Sequence, residues 1–349
     1  MKIAVLMGGT SPERDVSLAS GRAIARALSA CGHQVVPIDA ANGRLISEAG
    51  SAGEPLSDTN TGIGREPPEQ RELAHLADGP LAATLGEAPE MRDTEAIFVA
   101  LHGGAGEDGR VQAALDLIGI PYTGSGPLGS ALAMDKLVTK ELFISGGVPT
   151  PPWLVGPLET SAVENELGGY PVVVKPSREG STVGVSVVRS SGELSLALER
   201  TSGFSGPPII EKFIPGHELA IGVLGDEALP AVEIRPVHEI YDYECKYTRG
   251  MSEYEVPAPL SADTTALLED LAVRAHRVLR LSAYSRIDFR LDEDGTPWCL
   301  EANSLPGMTA TSLLPKAASA AGMSFEELCD RIVRMAVEAK GRERNTTRR

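Results

Sequence analysis

Two carboxylates, an amide and a guanidinium recur at alternating positions in one stretch of the sequence, at Arg286, Asp288, Glu301 and Asn303. Alternate residues of a β-strand project from the same face of a sheet. Two carboxylates on one face repel each other unless a cation lies between them, and Mg²⁺ and Mn²⁺ prefer oxygen ligands. The spacing therefore predicts a divalent-metal site, with a solvent-facing hairpin of mixed charge as the alternative.

A hairpin must bring these side chains together. Asp294-Gly295 separates two strand-like runs and favours a two-residue type I′ turn, in which Glu293 pairs with Thr296. That register places the two carboxylates opposite each other, and Arg286 opposite Asn303. The other face is apolar and is predicted to pack inward and fix the polar set; it consists of Ile287, Phe289, Leu291, Trp298, Leu300 and Ala302.

Two nearby loops have the composition of anion-binding segments. Residues 304–309 follow the hairpin and are rich in turn formers, so their N–H groups could face developing negative charge. Residues 174–184 form a strand that ends in Lys175 and a Gly/Ser loop, which is typical of phosphate binding and also of a plain β-turn. The loop is not a Walker A motif, because GxxxxGK[ST] does not occur in the sequence.

Two other motifs point to rival classes. The GxGxxG match at 124–129 suggests a nicotinamide dehydrogenase, but the strand before it covers only Ile120–Tyr122 and the next convincing strand starts at Pro171. His102-Gly103-Gly104 is similar to an esterase oxyanion loop, but no GxSxG nucleophile motif accompanies it, and a lone histidine is more typical of a structural contact. A non-catalytic nucleotide-binding protein remains the other alternative.

The composition defines which classes of protein are excluded. With 349 residues the chain suits two or three domains, and 42% hydrophobic with 23% charged residues is typical of a globular protein. The net charge of -16 argues against nucleic acid and anionic membranes as partners. The four cysteines form no CxxC pair, which fits a reducing cytoplasm. No apolar stretch reaches the length of a membrane span.

The elements that must position these residues form three regions. Residues 1–125 alternate apolar runs with amphipathic stretches and predict a parallel α/β unit, interrupted at about 42–92 by an insertion with a short helix near Gln70–Ala77. The predicted elements of this unit are strands at Ile3–Leu6, Gln34–Ile38 and Ala96–Leu101 and helices at Val16–Leu28 and Arg110–Leu117.

The rest of the chain predicts two smaller sheet regions. In the first, a helix over Leu128–Ile144 precedes strands at Pro171–Lys175, Gly184–Val188 and Pro208–Ile214. The second contains strands at Leu219–Leu224 and Leu229–Ile234, a helix at Thr265–Leu281, the hairpin, and a last helix that begins with a capping box, Ser324 to Glu327. Residues 341–349 are predicted to be a disordered tail.

Apart from the insertion and the tail, the whole chain resembles the bacterial D-alanine:D-alanine ligases of the ATP-grasp superfamily. The matching segments occur in order, at Met7–Arg14, Leu101–Gly103, Gly106–Gly109, Tyr122–Gly126, Ala133–Lys136, 174–184, Tyr241–Glu244, Lys246-Tyr247 and Leu300–Thr309. Two positions depart from the usual pattern of that family: Cys245 replaces an alanine and Ser304 replaces a threonine. Neither departure removes a predicted ligand.

The resemblance implies an α/β fold, with α+β character in its C-terminal part. Residues 1–125 would form a Rossmann-like pre-ATP-grasp domain, 126–212 the central ATP-grasp subdomain and 213–340 the C-terminal catalytic domain. The implied reaction is ATP-dependent ligation of two D-alanine molecules through D-alanyl phosphate, for peptidoglycan precursor synthesis. D-Lactate or D-serine as the second substrate is the alternative. A cytoplasmic homodimer is implied as well.

The resemblance also assigns roles to the candidate residues. Asp288, Glu301 and Asn303 would hold Mg²⁺ or Mn²⁺, with two ions expected, on the face deduced from the hairpin. The nucleotide contacts would be Lys136, Lys175 and Lys246 for phosphates, Glu211, Lys212, Phe213 and Ile214 for adenine, and Glu218 for ribose. The residues near the substrates would be Glu13, His102, Ser181, Tyr247, Arg286, the Gly307 N–H, Ser312 and Leu313.

Overall fold

A computed structural model of the chain describes residues 1–46, 91–309 and 312–347, together with positions 63, 64, 68, 73, 75 and 76. In this part of the chain the strands form three sheets, of three, six and four strands. The insertion predicted at about 42–92, with its short helix near Gln70–Ala77, lies mostly outside the described residues. Among the described helices, none is both long enough and apolar enough to cross a membrane.

The first sheet belongs to a small parallel α/β unit, as the alternation of apolar and amphipathic runs predicted. Its elements are β1 (Lys2–Met7), α1 (Arg14–Ala30), β2 (Gln34–Asp39), β3 (Ala96–Val99) and α2 (Arg110–Ile118). The strand order is β2-β1-β3, and both pairings are parallel. Helix α1 approaches β1 so closely that a Cβ on Gly21 would lie 2.4 Å from the Cβ of Met7, so this packing requires glycine.

The four-stranded sheet is antiparallel and has the order β4-β7-β5-β6. The region contains α3 (Pro127–Met134), α4 (Lys136–Ser145), β4 (Trp153–Val155), α5 (Thr160–Leu167), β5 (Val172–Pro176), β6 (Ser186–Val188), α6 (Ser191–Thr201) and β7 (Pro208–Lys212). The prediction of one helix over Leu128–Ile144 is wrong. Asp135 ends α3 and caps α4, because its carboxylate accepts from the N–H of Leu137 at 3.1 Å and of Val138 at 3.3 Å.

The six-stranded sheet carries the hairpin. Its region contains β8 (His217–Leu224), β9 (Glu227–Ala228), β10 (Val232–Pro236), α7 (Tyr243–Tyr247), β11 (Ser252–Glu255), α8 (Ala262–Val278), β12 (Tyr284–Leu291), β13 (Pro297–Asn303), α9 (Leu313–Ala320) and α10 (Phe325–Thr347). The strand order is β11-β10-β8-β12-β13, and β9 pairs with β8. Leu268 and Leu271 of α8 share a buried core with Ile287 and Phe289 of β12, which anchors the hairpin from behind.

The capping box predicted at the start of the last helix is confirmed. The N–H of Glu327 donates to Ser324 Oγ at 3.2 Å, and the N–H of Ser324 donates to Glu327 Oε2 at 2.8 Å. Helix α10 then continues to Thr347. The segment predicted to be a disordered tail is therefore helical over most of its length.

The two strands of the hairpin pair as predicted where the polar residues lie. Asp288 is the partner of Glu301, and Arg286 is the partner of Asn303. The flanking residues Ile287 and Ala302 are also paired and buried, so the apolar face packs inward at this point. The polar face is thus held in place by the core behind it.

The turn of the hairpin differs from the prediction. The N–H of Asp292 donates to the carbonyl of Thr296 at 3.0 Å, which closes a loop of three residues instead of two. A bulge at Leu300 compensates for the extra residue and restores the predicted pairing beyond it. The bulge also changes which side chains face inward: Cys299 is buried, Trp298 donates to Asp292 Oδ2 at 2.8 Å, and Leu300 lines a cavity. The predicted inward placement of Trp298 and Leu300 is wrong.

A buried histidine makes the stability of this fold sensitive to pH. Burial lowers the pKa of His276, on α8, from 6.5 to about 4, and its Nδ1 lies 2.8 Å from Ser285 Oγ. Because the unfolded chain binds this proton at a higher pH than the folded chain, unfolding becomes easier as pH falls through this window. We expect the free energy of unfolding to fall by about 3 kcal/mol between pH 6.5 and 4 through this group.

Urea unfolding of the wild type and of His276→Gln across that pH range measures the contribution of His276. The wild-type curve should decline more steeply than that of the variant, whose side chain does not titrate. Parallel curves would show that His276 is not buried as a neutral imidazole.

Candidate active site

Two adjoining cavities collect side chains from all three sheet regions. Of the predicted residues, the first cavity is lined by Glu13, His102, Ser181, Tyr247, Arg286, Asn303, Gly307, Ser312 and Leu313. The second is lined by Lys175, Glu211, Lys212, Phe213, Ile214, Glu218 and Asp288. Lys136, Lys246 and Glu301 line both. Every predicted site residue therefore lines a cavity.

The polar face of the hairpin forms the boundary between the cavities. Arg286 donates two parallel hydrogen bonds to the Asp288 carboxylate, from Nε at 2.7 Å and from Nη2 at 2.8 Å. Burial alone would lower the pKa of Arg286, but Asp288 and Glu301 outweigh burial and raise it. Lys136 Nζ lies 3.2 Å from Glu301 Oε2. The charges of this face are thus paired while both carboxylates still line the second cavity.

Glu301 stays ionised despite its position. Burial raises its pKa, but Lys136, Lys246, Lys175 and Arg286 outweigh burial and bring the pKa down to about 2. The third predicted metal ligand, Asn303, accepts a hydrogen bond on Oδ1 from the N–H of Leu305 at 3.2 Å, which orients its amide. Two carboxylates in register and a fixed amide oxygen are a donor set that suits Mg²⁺ or Mn²⁺.

Lys136 ties the loop after β5 to the hairpin. Its Nζ donates to the carbonyl of Glu179 at 2.6 Å, and its backbone N–H donates to the carbonyl of Ser177 at 2.9 Å. Within that loop Ser181 and Thr182 have positive φ angles, of 49° and 62°, which non-glycine residues rarely adopt. Such strain concentrates where surrounding structure imposes a conformation, as at ligand-binding loops.

A cluster of three charges borders the second cavity. Lys175 Nζ donates to Glu211 Oε1 at 2.6 Å, and Lys140 Nζ lies 2.9 Å from Glu211 Oε2. Burial alone would raise the pKa of Glu211, but the two lysines hold the pKa below its ordinary value. Lys140 could not be predicted from the sequence, because its position on a regular helix carries no signal of this contact.

A buried carboxylate joins three parts of the chain at the first cavity. Glu13, at the start of α1, accepts from Ser181 Oγ and, at 3.5 Å, from the hydroxyl of Tyr247 on α7. Burial and repulsion from Glu107 raise the pKa of Glu13. Gly103, beside Glu13, has a φ of 65°, a conformation that favours glycine. The predicted set of Glu13, Ser181 and Tyr247 is therefore hydrogen-bonded.

His102 connects this cavity to the loop after the hairpin. Its Nε2 lies 3.2 Å from Ser20 Oγ, which accepts from the N–H of Met308 at 3.3 Å. On the other side its Nδ1 lies 3.6 Å from Glu107, a residue that the sequence analysis did not single out. His102 thus lines the cavity and supports its walls at once.

Arg290 organises the far end of the second cavity. It donates to the carbonyls of Ile214 at 3.0 Å and Gly216 at 2.9 Å and to Glu218 Oε2 at 3.2 Å, and its guanidinium lies over the Phe213 ring. The sequence analysis did not name Arg290. The alternation of the strand could have found it, because Arg290 continues the series begun by the predicted polar positions of β12.

Two antiparallel sheets meet at a lysine-lined cavity, with paired carboxylates at its boundary with a second cavity, which is the arrangement that the resemblance to the ATP-grasp ligases implied. The family model for the D-ala D-ala ligase N-terminus matches residues 2–125, and the model for the C-terminus matches residues 147–334. The chain belongs to the D-alanine–D-alanine ligase family.

Full-length relatives support the same family. The chain is 44% identical over 336 residues to the D-alanine–D-alanine ligase of Geobacter sulfurreducens, covering 95% of this chain and 93% of the relative. It is 42% identical over 345 residues to that of Halalkalibacterium halodurans, covering 97% and 100%. The crystal structure of the Bacillus anthracis D-alanine–D-alanine ligase complexed with ATP is similar with a TM-score of 0.74 and 30% identity, covering 98% of this chain and 99% of that one.

Proposed function

We propose that this protein joins two D-alanine molecules to D-alanyl-D-alanine, consuming ATP and releasing ADP and phosphate, and so supplies a peptidoglycan precursor. The observation that carries the proposal is the hairpin, whose paired Asp288 and Glu301 lie at the junction of the two cavities, with Lys136 facing Glu301. Family membership over nearly the whole chain supports the same reaction. The predicted cytoplasmic location and homodimer fit this role and stay predictions.

The second cavity is the proposed nucleotide site. Lys136, Lys175 and Lys246 are suited to phosphates, since each presents an ammonium to a shared space. The backbone and side chains proposed for adenine are those of Glu211, Lys212, Phe213 and Ile214, with Glu218 for the ribose. The structure of the ATP-complexed relative supports this assignment of ATP.

Asp288, Glu301 and Asn303 are the residues that would hold the divalent ions, with two ions proposed. When bound, such ions neutralise the phosphate charges that oppose attack by a carboxylate. Arg286 and Lys136 offset the repulsion between the two carboxylates, because each is paired with one of them.

The first cavity is the proposed site of both D-alanine molecules. Glu13 would anchor the ammonium of the first, with His102 beside it, while the carboxylate oxygen attacks the γ-phosphorus and ADP leaves. The amine of the second D-alanine then attacks the acyl carbon, loses a proton and displaces phosphate. Ser312 and Leu313 would hold its carboxylate. Arg286 and the Gly307 N–H would stabilise the tetrahedral oxyanion.

A lid made by Glu13, Ser181 and Tyr247 is proposed to keep water from the acyl phosphate. The contacts that support it link three separate segments of the chain that line the first cavity. Exclusion of water matters here because an acyl phosphate hydrolyses when it is exposed.

The test is a coupled assay of ATP consumption with D-alanine, D-serine, D-lactate and L-alanine, with the product identified by mass spectrometry. D-Alanine alone should support ADP release and yield the dipeptide. ADP release without dipeptide would overturn the ligase proposal in favour of a nucleotide hydrolase. A depsipeptide or a mixed dipeptide as the main product would instead show that the preferred second substrate is not D-alanine.

Tyr247→Phe should raise incorporation of D-lactate relative to D-alanine. The Tyr247 hydroxyl lies 3.5 Å from Glu13 and 3.4 Å from Ser181 in the cavity proposed for both substrates, so its removal alters the polar surroundings of that cavity without removing the ring. Competition between the two substrates, read as the ratio of depsipeptide to dipeptide, measures the effect. Tyr243→Phe, whose ring packs against that of Tyr247, is the matched control. An unchanged ratio in Tyr247→Phe would contradict the specificity role.

A further inference from the structure

Lys140 is a fully buried lysine on α4, with 0% of its surface exposed. Its ammonium donates to Thr150 Oγ1 at 2.8 Å and to the carbonyl of Pro151 at 3.0 Å, and it lies 2.9 Å from Glu211 Oε2. The first two contacts are hydrogen bonds and the third is an ion pair, since Glu211 Oε2 accepts no hydrogen bond from the described residues. The described residues that line the two cavities do not include Lys140. Its charge therefore acts on Glu211 and not on a ligand directly.

Glu211 pairs with two lysines: Lys140, which does not line the cavity, and Lys175, which does. Lys175, which lines the second cavity, donates to the other carboxylate oxygen at 2.6 Å. If Lys175 turns toward the phosphates of ATP, its bond to Glu211 weakens. Without a second cation Glu211 would then be a buried and unpaired carboxylate, which is strongly unfavourable.

We propose that Lys140 is a positioning residue that keeps Glu211 charged and in place, so that Lys175 is available to the phosphates of ATP. The inference rests on the proposed function, since it requires ATP in the second cavity. The surroundings of Lys140 support it: the Trp153 ring centroid lies 5.0 Å from Nζ, and Trp153 is the strand partner of Glu211. Burial lowers the pKa of Lys140, and attraction to Glu211 opposes that shift.

The test is a double-mutant cycle on nucleotide affinity. Calorimetry with Mg²⁺ and a non-hydrolysable ATP analogue compares the wild type, Lys140→Met, Glu211→Gln and the double variant. Lys140→Met should weaken binding about tenfold or more, because ionised Glu211 then competes with phosphate for Lys175. In the Glu211→Gln background the same change should alter binding by less than about threefold, since a neutral amide needs no cation.

Kinetics separate this role from a merely structural one. In Lys140→Met the KM for ATP should rise while the KM for D-alanine stays constant, and in the Glu211→Gln background the same change should leave the KM for ATP nearly constant. Lys316→Met, which removes another lysine lying 5.0 Å from a ring centroid, that of Tyr254, is the control for loss of a lysine–aromatic contact. It should leave the KM for ATP unchanged.

Equal analogue binding by the wild type and Lys140→Met would overturn the inference, as would the same loss in both backgrounds. If Lys140→Met alone does not fold, the comparison of Glu211→Gln with the double variant decides: equal binding supports the inference, and a tenfold loss overturns it. A wild type that does not bind the analogue overturns the proposed function itself. The two failures are therefore distinguishable.

Discussion

In Glu301→Gln, kcat should fall by about 10³-fold, since loss of charge stabilisation worth several kcal/mol changes a rate by that order. Glu301 lines both cavities and lies 3.2 Å from Lys136. Its pKa of about 2 means that it carries a full negative charge at any working pH. Glutamine keeps the shape of the side chain and removes that charge, so the effect measures the charge alone.

Two readouts distinguish loss of a metal ligand from general damage. Binding of Mn²⁺ in the presence of ADP, followed by electron paramagnetic resonance, should weaken along with kcat. Glu293→Gln, in the exposed turn of the same hairpin, should match the wild type in both measurements. Wild-type kcat in Glu301→Gln would remove this residue from the proposed metal site.

The placement of Glu301 shows how much of the site could be predicted from the sequence. Alternation along two strands puts Asp288 and Glu301 on one face whenever their segments pair, and a run of apolar residues on the opposite face forces that face inward. Both conditions are visible in the sequence, and the pairing of the two residues is confirmed. The face could therefore be predicted because burial of the other face permits only this orientation.

The hairpin turn could not be predicted in the same way. The preference of Asp294-Gly295 for a two-residue turn is local, but Asp292 outweighs it by accepting from the N–H of Thr296 at 2.7 Å and of Asp294 at 3.1 Å. The extra loop residue is then absorbed by the bulge at Leu300. Two compensating irregularities left the paired carboxylates where the simpler register had placed them.

Residues that act through tertiary contacts were harder to find. Lys140 has no unusual neighbour in sequence. Its ion-pair partner, Glu211, lies on a strand, β7, that is distant in the sequence. The division of the helix at Asp135 was missed for a similar reason, since apolar spacing continues across it. Hydrophobic periodicity indicates which face of an element is buried. It does not indicate which charged side chain of another element packs against that face.

Arg286→Lys should lower kcat by about 10²-fold or more, because removing one donor to an oxyanion has an effect of this order. Arg286 donates two hydrogen bonds to Asp288, from Nε and Nη2, and also lines the first cavity. Lysine keeps the positive charge beside Asp288, but its single ammonium does not reproduce the rigid fork. The KM for ATP should change far less than kcat.

Arg290→Lys provides the comparison, because Arg290 lies two residues along the same strand and pairs with Glu218 in the second cavity. Its substitution should raise the KM for ATP and leave kcat nearly constant, the reverse of Arg286→Lys. Steady-state kinetics on both variants, with Mn²⁺ binding as a check on Asp288, tests the pair together. If both variants lowered kcat equally, the Arg→Lys change would have the same effect in both cavities. The assignment of Arg286 to acyl transfer and of Arg290 to nucleotide binding would then be wrong.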